Sequence, residues 1–194
     1  ALTFQLDGGY LWDGITQVVR LDPVTNQGSY MHDNAEKTWT FGLENSFFFN
    51  KVSFFQTYIS QRLWYSDMKI GPESTSLYGG AGLSYHVSLN NTFFFNRSKT
   101  LQGTCSIYYA SPRYDDGGMR YSHKFTANAG LSYTLLDGKL RIAADAYNLI
   151  WTEPYININT PDYQLRVKNE SNSPYCTLGL TYSFGASIEG KDER

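Results

Sequence analysis

The feature that most constrains this chain is its period. Over most of the length, apolar and polar residues alternate one by one, which is the signature of extended strands and not of helices. Near the end, Cys176, Leu178, Leu180, Tyr182 and Phe184 alternate with Tyr175, Thr177, Gly179, Thr181 and Ser183. Before that, Leu140, Ile142, Ala144 and Ala146 oppose Arg141, Ala143, Asp145 and Tyr147. Another run sets Ala127, Ala129, Leu131, Tyr133 and Leu135 against Thr126, Asn128, Gly130, Ser132 and Thr134. Asp137-Gly138 stands between these two runs, the strongest short hairpin signal a sequence offers. The same alternation returns around Cys105, Leu83, Phe41 and Phe4. Eight antiparallel strands are expected, at 1–12, 35–49, 52–66, 77–90, 99–111, 123–136, 139–151 and 173–185, the first continuing as an extended arm through Arg20. Residues 52–66 carry aromatic and polar groups on both parities, so their inward face stays undecided.

The polar parity is rich in Gly, Ser and Thr, strand after strand. The outer face of a soluble sandwich should carry Lys and Glu instead. No apolar run approaches the roughly 18 residues of a membrane-spanning helix, but a barrel strand needs only about 9–11 and shows lipid one face. With 41% hydrophobic and only 18% charged residues, the chain does not read as disordered. A net charge of -2 with no basic run excludes an electrostatic nucleic-acid binder.

Connections alternate in length. Asn50-Lys51 and Asp137-Gly138 read as tight turns, and residues 90–98 as a modest link. Long loops are expected near 13–35, 67–76, 112–122 and 152–172. Tight turns at one end and long loops at the other match a barrel of the bacterial outer membrane. Phe47, Phe48, Phe49, Phe54, Phe55, Phe93, Phe94, Phe95 and Phe184 fall near the short turns. Trp12, Trp64, Tyr65, Tyr109, Trp151 and Tyr155 fall near the long loops. Two aromatic girdles around an apolar band are expected of such a wall. The fold class is therefore all-β, an antiparallel up-and-down transmembrane β-barrel over residues 1–185, with a charged tail at 186–194.

The run from Tyr108 to Phe184 resembles the C-terminal end of TonB-dependent outer-membrane receptors, especially the barrel family of Bacteroidetes. The motifs that carry the resemblance are Tyr109-Ala110-Ser111-Pro112, Ala129-Gly130-Leu131-Ser132-Tyr133, Leu136-Asp137-Gly138-Lys139-Leu140 and Leu178-Gly179-Leu180-Thr181-Tyr182-Ser183-Phe184-Gly185. Upstream, Ile15-Thr16-Gln17-Val18, Asn34 and Trp39-Thr40-Phe41-Gly42-Leu43-Glu44 resemble an earlier strand–loop–strand unit. Each motif is loose, and the force lies in their order and spacing. Where family members often carry Asn-Asp-aliphatic-Phe-Asn, this chain has Ala146-Tyr147-Asn148-Leu149-Ile150. Receptors of this class have about 22 strands around a plug. The resemblance thus implies the last eight strands of a larger nutrient-uptake barrel. Its partners would be outer-membrane lipid, the plug and other barrel strands, and a surface lipoprotein. The strand count leaves open a stand-alone eight-stranded barrel with a structural or adhesive role.

Chemistry-bearing residues are sparse. His86 falls on the polar parity beside Ser84 and Ser88, and a lumen-lining histidine is the expected reading. A Ser/His site would need an orienting group and an oxyanion hole, and nothing in the spacing requires Asp145 in that role. Arg141 and Asp145 share a strand face and are expected in a lumen charge network, facing the plug in an intact receptor. Asp115 and Asp116 form an acidic loop pair, read as a solvated turn that could touch a ligand. Three scattered histidines and two distant cysteines, Cys105 and Cys176, do not make a metal site. No enzyme activity, cofactor or metal is expected.

Overall fold

The computed structural model describes residues 1–22, 24–25, 28–70, 81–114, 120–159, 164–168 and 173–184. Among them the chain is all strand and coil, with no helix. In chain order the strands are β1 (Leu2–Leu21), β2 (Gly28–Val52), β3 (Phe55–Ile70), β4 (Ala81–Phe94), β5 (Leu101–Ala110), β6 (Arg113–Tyr114), β7 (Arg120–Tyr121), β8 (Lys124–Leu135), β9 (Leu140–Trp151), β10 (Tyr155–Asn159), β11 (Gln164–Lys168) and β12 (Tyr175–Tyr182). Eight form one antiparallel sheet in the order β1-β2-β3-β4-β5-β8-β9-β12. Among the described residues β1 pairs only with β2, and β12 only with β9, so the sheet has two open edges.

Residues directly opposite in an antiparallel ladder point to one face. The ladder joins Leu6, Leu43, Leu63 and Tyr85 into one row, and Phe93, Gly103, Leu131, Ala144 and Leu178 into another. On the other face run Asp7, Gly42, Trp64 and Ser84, and Thr104, Gly130, Asp145 and Thr177. This register also decides β3: Ile59, Leu63 and Tyr65 lie on the apolar face, and Ser60, Arg62, Trp64 and Ser66 on the polar one. Buried Gly42, Met68, Ser84, Ala110, Thr126 and Ser132 belong to the polar face, whereas buried Gly103 is on the apolar face, beneath the Phe95 ring. Elsewhere on the apolar face, Leu178 is 83% exposed, Leu180 73% and Leu6 71%. Crowding on one side and openness on the other is what a sheet curled towards its polar face produces. An apolar surface of this extent is stable against lipid and not against water.

Three expectations are corrected. The turn after β2 is not at Asn50-Lys51 but at Ser53–Phe54, because a register shift between Phe49 and Val52 lets Val52 still pair with Phe55. The stretch 13–35 is not a loop. β1 and β2 stay paired from Gly14 with Ala35 to Leu21 with Gly28, as the β-branched run Ile15, Thr16, Val18 and Val19 favours. The 112–122 and 152–172 connections are likewise not structureless. They contribute a second sheet, in the order β11-β10-β7-β6.

The Asp137-Gly138 hairpin forms as its residues demand. Both have positive φ, 53° and 89°, and the Lys139 N–H donates to the Leu136 carbonyl at 3.1 Å, a type I′ turn. The β4–β5 link closes on Asn96, whose Oδ1 accepts the Leu101 N–H at 3.1 Å and whose Nδ2 donates to Thr100 Oγ1 at 2.7 Å.

Candidate functional site: the polar face and the rim above it

The polar face of β1–β5 gathers charged and hydrogen-bonding groups in two adjacent rows. Gln5, Glu44, Arg62, His86 and Ala110 form one row, and Asp7, Gly42, Trp64 and Ser84 the next. Gly42 is buried between large neighbours, and a cavity of about 380 Å³ opens there, lined in part by Asp7, Gly42, Arg62 and Trp64. Trp64 was expected in the outer aromatic girdle. Its even-numbered place in β3 turns it to the polar face instead, edge-on to His86 with ring centroids 4.3 Å apart. Tyr108 stands on the other side of the imidazole at 5.8 Å, and the Arg62 guanidinium lies 5.5 Å from the Trp64 ring centre.

Two polar atoms in this cluster lack partners among the described residues. Ser84 is 1% exposed and its Oγ makes no hydrogen bond, and the same is true of the buried Nε2 of His86. A buried polar group left unsatisfied costs about 1–3 kcal/mol.

The candidate residues separate in space. His86 is on β4, while Arg141 and Asp145 are on β9, three strands away in the sheet order. All three share the polar face, but Asp145 is not brought to His86. Among the described residues no ion pair joins Asp145 to Arg141, four residues along the same strand. Asp145 leans instead over Gly130, where an added Cβ would collide with its carboxylate and with Thr104 Oγ1. Asp115 and Asp116 lie outside the described residues. The cysteines occupy one row of the apolar face, but Ala129 of β8 and Ala146 of β9 stand between them, and both thiols are free.

Above the polar face, the small sheet links two connections. The Ser122 N–H donates to the Tyr155 carbonyl at 2.9 Å, and the Tyr155 N–H donates back to Ser122 Oγ at 2.9 Å. Arg113 stacks on Tyr121 at 4.7 Å and Arg166 on Tyr155 at 4.5 Å. Arg166 Nε also donates to Asn157 Oδ1 at 3.1 Å. Sequence reasoning missed this rim, because β6 and β7 are two residues each and leave no periodicity to find, and β10 and β11 are only five residues each inside a long connection.

The chain is thus a curled antiparallel wall with an apolar outside, a polar inside and a structured rim. A family model described as outer membrane protein beta-barrel family matches residues 1–182. Comparisons with curated proteins and with solved structures give no match. The match spans the whole of the main sheet, and the chain belongs to the outer membrane protein beta-barrel family, whose place is the bacterial outer membrane.

Proposed function

We propose that this chain is a stretch of the wall of a TonB-dependent receptor that takes up a nutrient, and that its role is binding and passage without catalysis. The observation that carries the reading is the pair of open edges on β1 and β12. Inside a bilayer no water satisfies an unpaired strand edge, and each free backbone group there costs several kcal/mol. Further strands on both sides would remove that cost and widen the barrel enough to hold a plug. On this reading His86, Arg141 and Asp145 face the plug or the solute path. Asp115 and Asp116 belong to the β6–β7 connection on the ligand side, where a surface lipoprotein would also dock.

The alternative, a closed eight-stranded barrel with a structural or adhesive role, is favoured only by the even strand count. Disulfide trapping in the full-length protein separates the two. Phe4→Cys and Leu180→Cys are combined with Cys105→Ser and Cys176→Ser, and neighbouring registers are scanned on both strands. The expected result is no intramolecular crosslink in any register. Efficient crosslinking of β1 to β12 would overturn the receptor reading and establish the small barrel.

A further inference from the structure

The outward face of β1–β3 carries a feature that an apolar wall does not need. Three rows stack there towards the rim. Gly8, Phe41 and Tyr65 form the first, Tyr10, Trp39 and Asp67 the second, and Trp12, Lys37 and Lys69 the third. From Phe47 near the short turn to Trp39 is nine residues of β2, the length of strand that crosses a hydrocarbon core. The second row therefore lies at the interface, and the lysines one step beyond it, at headgroup depth. The tight turns face the periplasm in such barrels, so this is the outer leaflet.

Lys37 and Lys69 sit directly opposite each other across the ladder. Like charges so placed repel. Among the described residues neither lysine has an ion-pair or hydrogen-bond partner, Asp67 one row below included. Beneath them is a notch of about 540 Å³, lined by Gly8, Tyr10, Trp39, Phe41, Tyr65 and Asp67. Tyr10 and Trp39 are in contact at 4.3 Å, yet Trp39 remains 53% exposed. Gly8 leaves the floor of the notch open, since a side chain there would fill it against Phe41.

We propose that this rim site holds the phosphorylated sugar headgroup of an outer-leaflet glycolipid. The lysine pair takes a phosphate, which relieves the repulsion between the two ammonium groups. Tyr10 and Trp39 stack against the sugar, and the Asp67 carboxylate accepts hydrogen bonds from its hydroxyls. The acyl chains run down over Phe41, Tyr65 and Leu63. The apolar notch lies directly below the paired cations, which fits an amphiphile and not a soluble anion. The inference rests on membership of the barrel family and is independent of whether the protein transports anything.

The test is native mass spectrometry of the full-length protein in detergent, mixed with diphosphorylated lipid A, dephosphorylated lipid A or inorganic phosphate. The unmodified protein should retain the diphosphorylated lipid, lose most retention with the dephosphorylated one, and show no phosphate adduct. The variant K37Q/K69Q should bind the diphosphorylated lipid at least about tenfold more weakly, as loss of a charge-assisted contact implies, while K37R/K69R keeps it. Equal retention of both lipids by the unmodified protein would overturn the proposal whether or not the variants fold. So would unchanged retention by a K37Q/K69Q protein that keeps its heat-modifiable mobility. Inorganic phosphate that binds as well as the lipid would assign the lysines to a soluble anion and overturn the lipid assignment.

Discussion

At the scale of single residues, the wall depends on a few positions where a side chain is absent or oddly turned. Gly130 is one, because the Asp145 carboxylate and the Thr104 hydroxyl occupy the space its Cβ would take. Gly130→Ala should destabilise the folded barrel by about 1–3 kcal/mol, read as a lower urea midpoint of heat-modifiable mobility. Adding Asp145→Ala should restore part of that loss, because it removes the nearer of the two collisions and leaves the one with the Thr104 hydroxyl. Asn148 is another such position, with φ at 54° inside a register shift of β9. Its N–H donates to Asn128 Oδ1 at 2.8 Å, and Asn128 Nδ2 donates to Ser106 Oγ at 3.1 Å. Asn128→Ala should cost about 1–3 kcal/mol in the same assay, since it leaves a part-buried N–H unpaired. At the tip of the β1–β2 hairpin, Asp22 Oδ1 accepts the N–H groups of Val24 at 2.7 Å and Thr25 at 3.1 Å. These bonds favour the charged carboxylate and hold its pKa below the ordinary 3.8. Their contribution is therefore complete above the ordinary value and is lost as pH falls through the lowered one. The Val24 and Thr25 amide resonances should titrate with a midpoint below 3.8. In Asp22→Ala that titration should vanish.

At the scale of elements, alternation was legible wherever one face met lipid, because lipid accepts only one kind of side chain. The strands around Leu83, Leu131 and Leu178 could be read directly for that reason. β3 could not, because Trp64 and Arg62 put bulk on the polar face and Gln61 puts an amide on the apolar one. Only pairing with β2 and β4 settles its parity. The amide is accommodated because its Oε1 accepts the Tyr85 hydroxyl at 2.9 Å, a partner no spacing rule reveals. The Asp-Gly turn was legible because φ is the property of those residues that matters there. The Ser53–Phe54 turn was not, since a register shift moved it past better turn formers. Of the candidate site, the position of His86 on the polar parity could be read. Its neighbours Trp64 and Tyr108, brought from other strands, could not. The cysteines supply a further check. With two strands between them, Cys105 and Cys176 lie about 14 Å apart at normal strand spacing, twice the reach of a disulfide. Oxidation of the folded protein should leave both free, with unchanged migration on a non-reducing gel.

For the whole molecule, the open edges dominate the expected behaviour. The β1 edge is 20 residues long and lacks a partner on its outer side among the described residues. Residues 1–194 expressed alone and refolded in detergent should give edge-joined oligomers by light scattering, with no discrete monomer. A monodisperse, heat-modifiable monomer would count for the closed small barrel. The rim adds one more consequence. β10 is held to β11 at five paired positions within its own connection, but to β7 at only two, Ile156 with Tyr121 and Asn157 with Arg120. In mechanical terms the mouth on this side has a weak seam. With the seam fastened, two loops move as one rigid flap. With it torn, each loop swings alone on its own hairpin, and the tear should begin between Arg120 and Asn157, the end away from the two Ser122–Tyr155 hydrogen bonds.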